Sequence, residues 1–201
     1  VRVAPPPRLL RALQRIGEAV NDRGCPWAVV GGLAVSIRVE PRFTRDVDVV
    51  VAVADDDAAE ALVADLQQRG FTIQLVLEQA ALGRLATVRL LAPGEPDAGI
   101  VVDLLFASSG IESEICAAAE PVEVTPGFTV PVATVGHLVA MKALSVSPSR
   151  LQDEIDLQGL IANLAPVERQ RALDAATRIE AIGANRGRAL RADLERRLPA
   201  P

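Results

Sequence analysis

Apolar residues recur at helical spacing near the start of the chain, then give way to strand-like runs. Leu9, Leu10, Leu13, Ile16 and Val20 fall on one stripe and Gly24 stands where such a helix would end, which predicts an amphipathic helix over residues 8–23. Pro26 leads into residues 27–30, a short run of aromatic, small and β-branched side chains that reads as a buried strand. Gly31-Gly32 stops it, residues 33–38 have helical character, and a polar loop delivers the chain to a valine-rich strand over residues 46–53. In that strand Asp46 and Asp48 alternate with Val47, Val49, Val51 and Val53. The two carboxylates therefore share one face, roughly 7 Å apart at the backbone.

Asp55, Asp56 and Asp57 precede a helical stretch, residues 58–69, that Gly70 closes. Three acids in a row invite a metal reading, but they stand where carboxylates cap a helix and favour its positive end, and capping is the expectation. Residues 71–77 and 84–91 form a predicted hairpin around residues 79–83, and the run Pro93-Gly94-Glu95-Pro96-Asp97 is a turn. Residues 100–106 follow, with Ile100, Val102, Leu104 and Phe106 on one face and Asp103 on the other. A short helix within 108–119 and a small hairpin around Pro126-Gly127 complete the sheet-rich part. From Thr134, a candidate N-cap, the pattern is helical to the end, with breaks near Pro148, Pro166 and Gly183.

This succession predicts an α/β (α+β) protein: a mixed β-sheet flanked by helices over residues 1–133, and a helical C-terminal region over residues 134–201 packed on it. The seven proline-rich residues at the start are expected to be loosely attached. Half the residues are hydrophobic, but aromatics are limited to one Trp and four Phe, so the core must be aliphatic. Cys25 and Cys116 have no zinc spacing and are expected as free thiols, Cys116 as a small buried residue. No apolar run is long enough to cross a bilayer and no signal-peptide pattern is visible, so the expectation is a cytoplasmic protein without a membrane partner. The net charge of −5 argues against general nucleic-acid affinity. It is unevenly spread: from Pro166 onward eight Arg face five Asp or Glu, a net of +3 that leaves −8 on the remainder. That basic end suits RNA or an acidic partner, or is simply a solvated helical face.

Two carboxylates held side by side repel, and a divalent cation that accepts oxygen ligands and binds beside substrate phosphates is the natural compensation. The glycine turn allows close backbone approach, and the helix after it offers free N–H groups to an anion. Together these residues resemble the signature of the nucleotidyltransferase fold superfamily, in which a Gly-Gly or Gly-Ser turn precedes an Asp-x-Asp pair. More narrowly they resemble its AbiEii-type branch, whose Gly-Gly-x-Ala … Arg-x-Thr-x-Asp-x-Asp pattern stands here as Gly31, Gly32, Ala34, Arg42, Thr44, Asp46 and Asp48. An Asp-x-Asp alone would be weak support. The resemblance runs over residues 27–160 and leaves the last forty residues unmatched.

The resemblance implies a third carboxylate in an adjacent strand, and Asp103 fits; on its own, Asp103 could equally mark a solvent-facing edge. Lys142 is set among Leu138, Val139, Met141 and Leu144 on a helix too apolar to leave an ammonium unpaired. Its expected partners are Asp153 or Asp156 on the next helix, or nucleotide phosphates. Met141-Lys142 … Gln152-Asp153-x-x-Asp156 also resembles the family's downstream motif, with a structural salt bridge as the competing account. His137 is expected at the surface or in a helix-start role, and Thr44 either touches substrate or ties its loop.

What the resemblance implies is a nucleotidyltransferase that moves a nucleoside monophosphate from a nucleoside triphosphate to an RNA (tRNA) or protein hydroxyl, with Mg2+ or Mn2+ as cofactor. Asp46, Asp48 and Asp103 would hold metal, those three with Lys142 would be catalytic, and Gly31, Gly32, Arg42, Thr44, Asp153 and Asp156 would bind nucleotide. The implied setting is the toxin of a toxin–antitoxin or phage-defence pair, with an antitoxin protein as partner. The competing classes are a non-catalytic nucleotide-binding protein and a protein-interaction member of such a pair; a glycosyltransferase lacks support from the Gly-Gly turn.

Overall fold

The structure, a computed structural model, describes residues 7–39, 44–80, 83–94, 99–162 and 164–198. The chain opens with α1 (Pro7–Asp22), β1 (Trp27–Val30), α2 (Gly31–Arg38) and β2 (Asp46–Val51). Then come α3 (Asp56–Gln68), the hairpin β3 (Thr72–Gln79) and β4 (Arg84–Leu91), and β5 (Val101–Leu105). A short helix α4 (Glu112–Ala118) and a second hairpin, β6 (Glu120–Thr125) and β7 (Phe128–Val132), precede α5 (Val135–Ser145), α6 (Leu151–Ala162), α7 (Pro166–Ala181) and α8 (Leu190–Arg197).

The strands form one seven-stranded mixed sheet in the order β3-β4-β5-β2-β1-β7-β6. At its centre β2 pairs antiparallel with β1 and parallel with β5. The two hairpins flank this centre, so β3 and β6 are the edges. The aliphatic composition decides the packing. Val47, Val49, Val50 and Val51 are fully buried, and α1 lies across β2 and α3 with Leu9, Leu13, Ile16 and Val20 inward. Trp27 sits against Gly17 of α1, where a side chain at residue 17 would collide with the indole, and its ring N–H donates to Asn21 Oδ1 at 2.8 Å. α2 packs on β2, α5 and α6, which brings the C-terminal helices to the sheet.

The sequence-based expectations meet the structure closely at the elements. Asp55 is the N-cap of α3 and accepts from the Ala58 N–H at 2.9 Å, while Asp56 turns aside to Arg84, so the triple acid caps rather than gathers metal. Both cysteines are free thiols; Cys116 is half-buried, and its thiol is pushed up to about 12 chiefly by burial. Thr134 occupies the N-cap position of α5 but leaves the backbone uncapped, because its hydroxyl bonds the His137 Nδ1 at 2.9 Å. His137 is not at the surface: it is buried, with its Nε2 2.8 Å from Glu114 Oε1, and burial lowers its pKa so that the ring is neutral at neutral pH. The expectations for residues 1–6 and for the turn at 95–97 lie outside the described residues. Among the described residues no helix is long and apolar enough to cross a membrane.

Candidate active site

The site follows from register. β2 and β5 run parallel with Asp48 opposite Asp103, and Asp46 is two residues from Asp48, so all three carboxylates emerge on one sheet face. They line a cleft of about 640 Å³ whose other wall is helical, built by α5, the start of α6 and the turn after α7. Asp103 is buried, whereas Asp46 and Asp48 are half-buried.

Gly31 makes the position of Asp48 possible. Its φ is +62°, and a Cβ built on it would fall inside the Asp48 carboxylate and lie 2.7 Å from the Asp48 Cβ. The next amide, Gly32 N–H, donates to that carboxylate. The glycine turn thus approaches Asp48 closely, and both glycines line the cleft. Burial pushes the Asp48 carboxyl up to about 6, with Asp103 and then Asp46 adding repulsion; Lys142 and the Gly32 N–H pull the other way. Asp46 is also raised, first by burial and then by Asp103, against the attraction of Arg89 and Arg45.

Asp103 is not a bare acid. Arg89, its cross-strand neighbour on β4, donates from Nε to Oδ1 at 2.8 Å and from Nη2 to Oδ2 at 2.7 Å. The ion pair raises the Arg89 pKa further, Asp103 being the largest cause. Among the described residues no three His, Cys, Asp or Glu side chains converge closely enough to cage a metal. The donor chemistry nevertheless fits a divalent cation. Asp46 and Asp48 are hard oxygen donors on one face, and their pKa values are raised first by burial and then by the neighbouring carboxylate Asp103.

On the helical wall, Lys142 is buried and bridges Asp153 Oδ1 and Asp156 Oδ2, each at 2.7 Å. Gln152 Nε2 adds a bond to Asp156 Oδ1 at 2.9 Å, and Arg150 stands 3.4 Å from Asp153. Lys142 and Asp153 line the cleft; Asp156 is buried behind them. Thr44 Oγ1 lies 3.5 Å from the Asp46 carbonyl, a weak tie of the loop leading into β2. Arg42 lies outside the described residues. Four cleft arginines were missed from sequence: Arg45, Arg89, Arg150 and Arg186. For Arg89 a signal existed, because after the opening Arg84 it and Thr87 are the polar positions of an otherwise apolar strand.

Over residues 11–201 the sequence matches a protein family described as nucleotidyl transferase AbiEii toxin, type IV TA system. The match takes in the C-terminal helices as well as the residues whose spacing carried the resemblance. No curated protein matches the sequence. Among solved structures the chain is similar to an antigenic nucleotidyltransferase-like protein from Paracoccidioides brasiliensis, at 15% identity and TM-score 0.51, covering 92% of this chain and 95% of that one. It is similar to MenT4, a nucleotidyltransferase toxin from Mycobacterium tuberculosis H37Rv, at 18% identity and TM-score 0.52, covering 84% and 63%. It is also similar to ANT(2'')-Ia in complex with adenylyl-2''-tobramycin, at 17% identity and TM-score 0.51, covering 94% and 97%. At these identities the likeness is one of fold.

Proposed function

The chain belongs to the AbiEii nucleotidyl transferase toxin family, and from that premise we propose that it moves a nucleoside monophosphate from a nucleoside triphosphate to an acceptor hydroxyl on RNA or protein. The observation that carries this reading is the shared face of Asp46, Asp48 and Asp103 at the floor of the cleft. Asp46 and Asp48 would hold a divalent cation, which supplies Lewis-acid stabilisation of the triphosphate. Gly31, by lacking a side chain, and Gly32, through its N–H, keep the Asp48 carboxylate aimed into the cleft.

The acceptor oxygen forms a bond to the α-phosphorus as the bond from that phosphorus to the bridging oxygen breaks, and pyrophosphate leaves. Asp103, oriented by the two-point grip of Arg89, accepts the hydroxyl proton on a lone pair that the guanidinium leaves free. Lys142 acts chiefly by position: it spends its charge on Asp153 and Asp156, joining α5 to α6, and stands close enough to Asp48 to temper its pKa. Thr44 and, from the sequence pattern alone, Arg42 are proposed to border the nucleotide. The family and the fold likeness to MenT4 support a toxin setting with an antitoxin partner.

The experiment is incubation with each α-labelled nucleoside triphosphate, Mg2+ or Mn2+, and either total RNA or lysate protein, beside an Asp48→Asn control. Label in a defined RNA or protein band that is absent from the control is the expected result. The neighbour holding adenylyl-2''-tobramycin adds a small-molecule arm to the screen. No transfer to any acceptor with any of the four nucleotides overturns the reading.

A further inference from the structure

The positive charge of the C-terminal helices is largely committed. Arg171 pairs with Glu168, Arg178 with Glu114, Arg191 with Glu195, Arg196 with Asp193 and Arg197 with Glu154. Arg188 donates from Nη1 to the carbonyls of Ala143, Leu144 and Val146, closing the C-terminal end of α5. Arg186 differs from all of these. Among the described residues it has no hydrogen bond and no ion pair, and its side chain lines the catalytic cleft.

Its placement is enforced by the turn that carries it. Arg186 has φ +55°, the one positive φ at a non-glycine residue among those described. Gly187 follows at φ +71°, the Arg188 N–H closes the turn on the Asn185 carbonyl at 3.0 Å, and Asn185 Nδ2 donates to the Arg188 carbonyl at 2.6 Å. Through Arg188 the turn is tied to α5, the helix that carries Lys142. A bulky residue held in this backbone region, where glycine would be relaxed, is a mark of a functional site when its side chain enters a cleft. Burial, then Arg150 and Arg188 nearby, disfavours the charge of Arg186. Those two neighbours have carboxylates of their own, Asp153 and Asp193, whereas Arg186 has none among the described residues.

The other cations of the cleft cannot supply that anion-binding role as cheaply. Arg89 is engaged by Asp103, Lys142 by two aspartates, Arg150 stands 3.4 Å from Asp153, and Arg45 is drawn to Asp46. Yet a triphosphate whose α-phosphorus lies at Asp46 and Asp48 extends further negative charge away from them. We infer that Arg186, with Arg150 beside it, is the subsite for the terminal phosphates of the nucleoside triphosphate and receives the departing pyrophosphate. The planar guanidinium fork matches phosphate oxygens in two-point geometry. This inference rests on the nucleotidyl-transfer reading of the same cleft.

The test is calorimetric titration of the full chain and of Arg186→Gly with inorganic pyrophosphate, ATP, AMP and a short single-stranded RNA, each in Mg2+. Glycine removes the guanidinium and relaxes the backbone, so the variant should melt no lower than the wild type. Pyrophosphate and ATP should bind at least about tenfold more weakly to Arg186→Gly, with AMP within about twofold, as expected for loss of a charge-assisted contact. Arg186→Lys, which keeps the charge, should fall between. Unchanged pyrophosphate affinity, an equal loss for AMP, or a loss confined to RNA overturns the subsite. Pyrophosphate binding that depends on Arg186 in a protein that transfers no label would instead leave the subsite standing and remove the transferase reading. Transfer by the wild type with no effect of Arg186→Gly on pyrophosphate does the reverse.

Discussion

Arg89 and Asp103 face each other across β4 and β5 and join through two parallel hydrogen bonds of 2.8 and 2.7 Å. The guanidinium is therefore the counter-charge that the chain itself supplies to the acid cluster. It is drawn towards Asp46 and Asp48 as well as towards Asp103.

Removing that counter-charge should expose the repulsion it masks. Arg89→Leu leaves Asp103 buried without a partner, but the Arg89 side chain is itself 43% exposed. Solvent screening then limits the loss to about 1–2 kcal/mol rather than the larger cost of a fully buried pair. Melting without metal should fall by roughly 2–8 °C. Added Mn2+ should restore more stability to the variant than to the wild type, because three unbalanced carboxylates bind it more tightly. Scanning fluorimetry across a Mn2+ series reads both; equal Mn2+ gains in the two proteins would contradict the role given to Arg89.

Gly31→Ala should be among the most damaging single substitutions in the sheet. The new Cβ meets the Asp48 carboxylate, and the left-handed backbone adds its own strain. A loss of at least about 3 kcal/mol is expected, together with loss of transfer. Gly83→Ala is the matched control, since Gly83 has φ +58° with nothing within 4 Å of an added Cβ. It should cost about 1 kcal/mol and leave transfer intact. Equal melting shifts for the two would mean that the contact with Asp48 is slack.

The contrast between Gly31 and Arg186 shows what the sequence could and could not disclose. Gly31-Gly32 and Asp46-x-Asp48 are local: their spacing fixes which residues turn and which share a face, so both were legible before any register was known. Asp103 needed one further step, alternation within an apolar run, and the parallel register of β2 and β5 then places it opposite Asp48. Arg89 reaches the site only through a hairpin pairing, and Arg186 only through a turn anchored to α5 by Arg188. Neither relation leaves a periodic trace. Of the two alternatives for His137, the helix-start role holds through its bond to Thr134 and the surface one does not; its contact with Glu114 on α4 left no local trace.

Lys142→Ala should report on stability before it reports on chemistry. Lys142, Asp153 and Asp156 have side chains exposed by no more than 14%, so deleting the ammonium strands two buried carboxylates. The expected cost is about 3–5 kcal/mol. The triple variant Lys142→Ala, Asp153→Asn, Asp156→Asn should recover much of that loss. Urea denaturation measures it, and a loss of under about 1 kcal/mol would mean that the trio is solvated.

Asp48→Asn separates the electrostatic cost of the site from its chemistry. Burial, with Asp103 beside it, pushes the Asp48 carboxyl up to about 6 in the folded protein from its ordinary 3.8. The folded state therefore holds this proton more tightly than the unfolded chain. Stability contributed by the site is intact below pH 4, declines as pH rises from 4 to 6, and stays low above that. The full difference corresponds to about 3 kcal/mol. Asn keeps the oxygen that accepts from Gly32 N–H but cannot ionise. Subtracting the wild-type stability from that of the variant should thus give a difference near zero at pH 4 that rises to as much as about 3 kcal/mol at pH 8 without metal. Saturating Mg2+ and nucleotide should then narrow or reverse it, because only the wild type gains the stabilisation of ligand bound to the folded form. Metal-dependent transfer should fall by orders of magnitude in the same variant. A variant less stable than the wild type at pH 8 without metal, yet still able to transfer, would make Asp48 a structural carboxylate and remove the central residue of the proposed site.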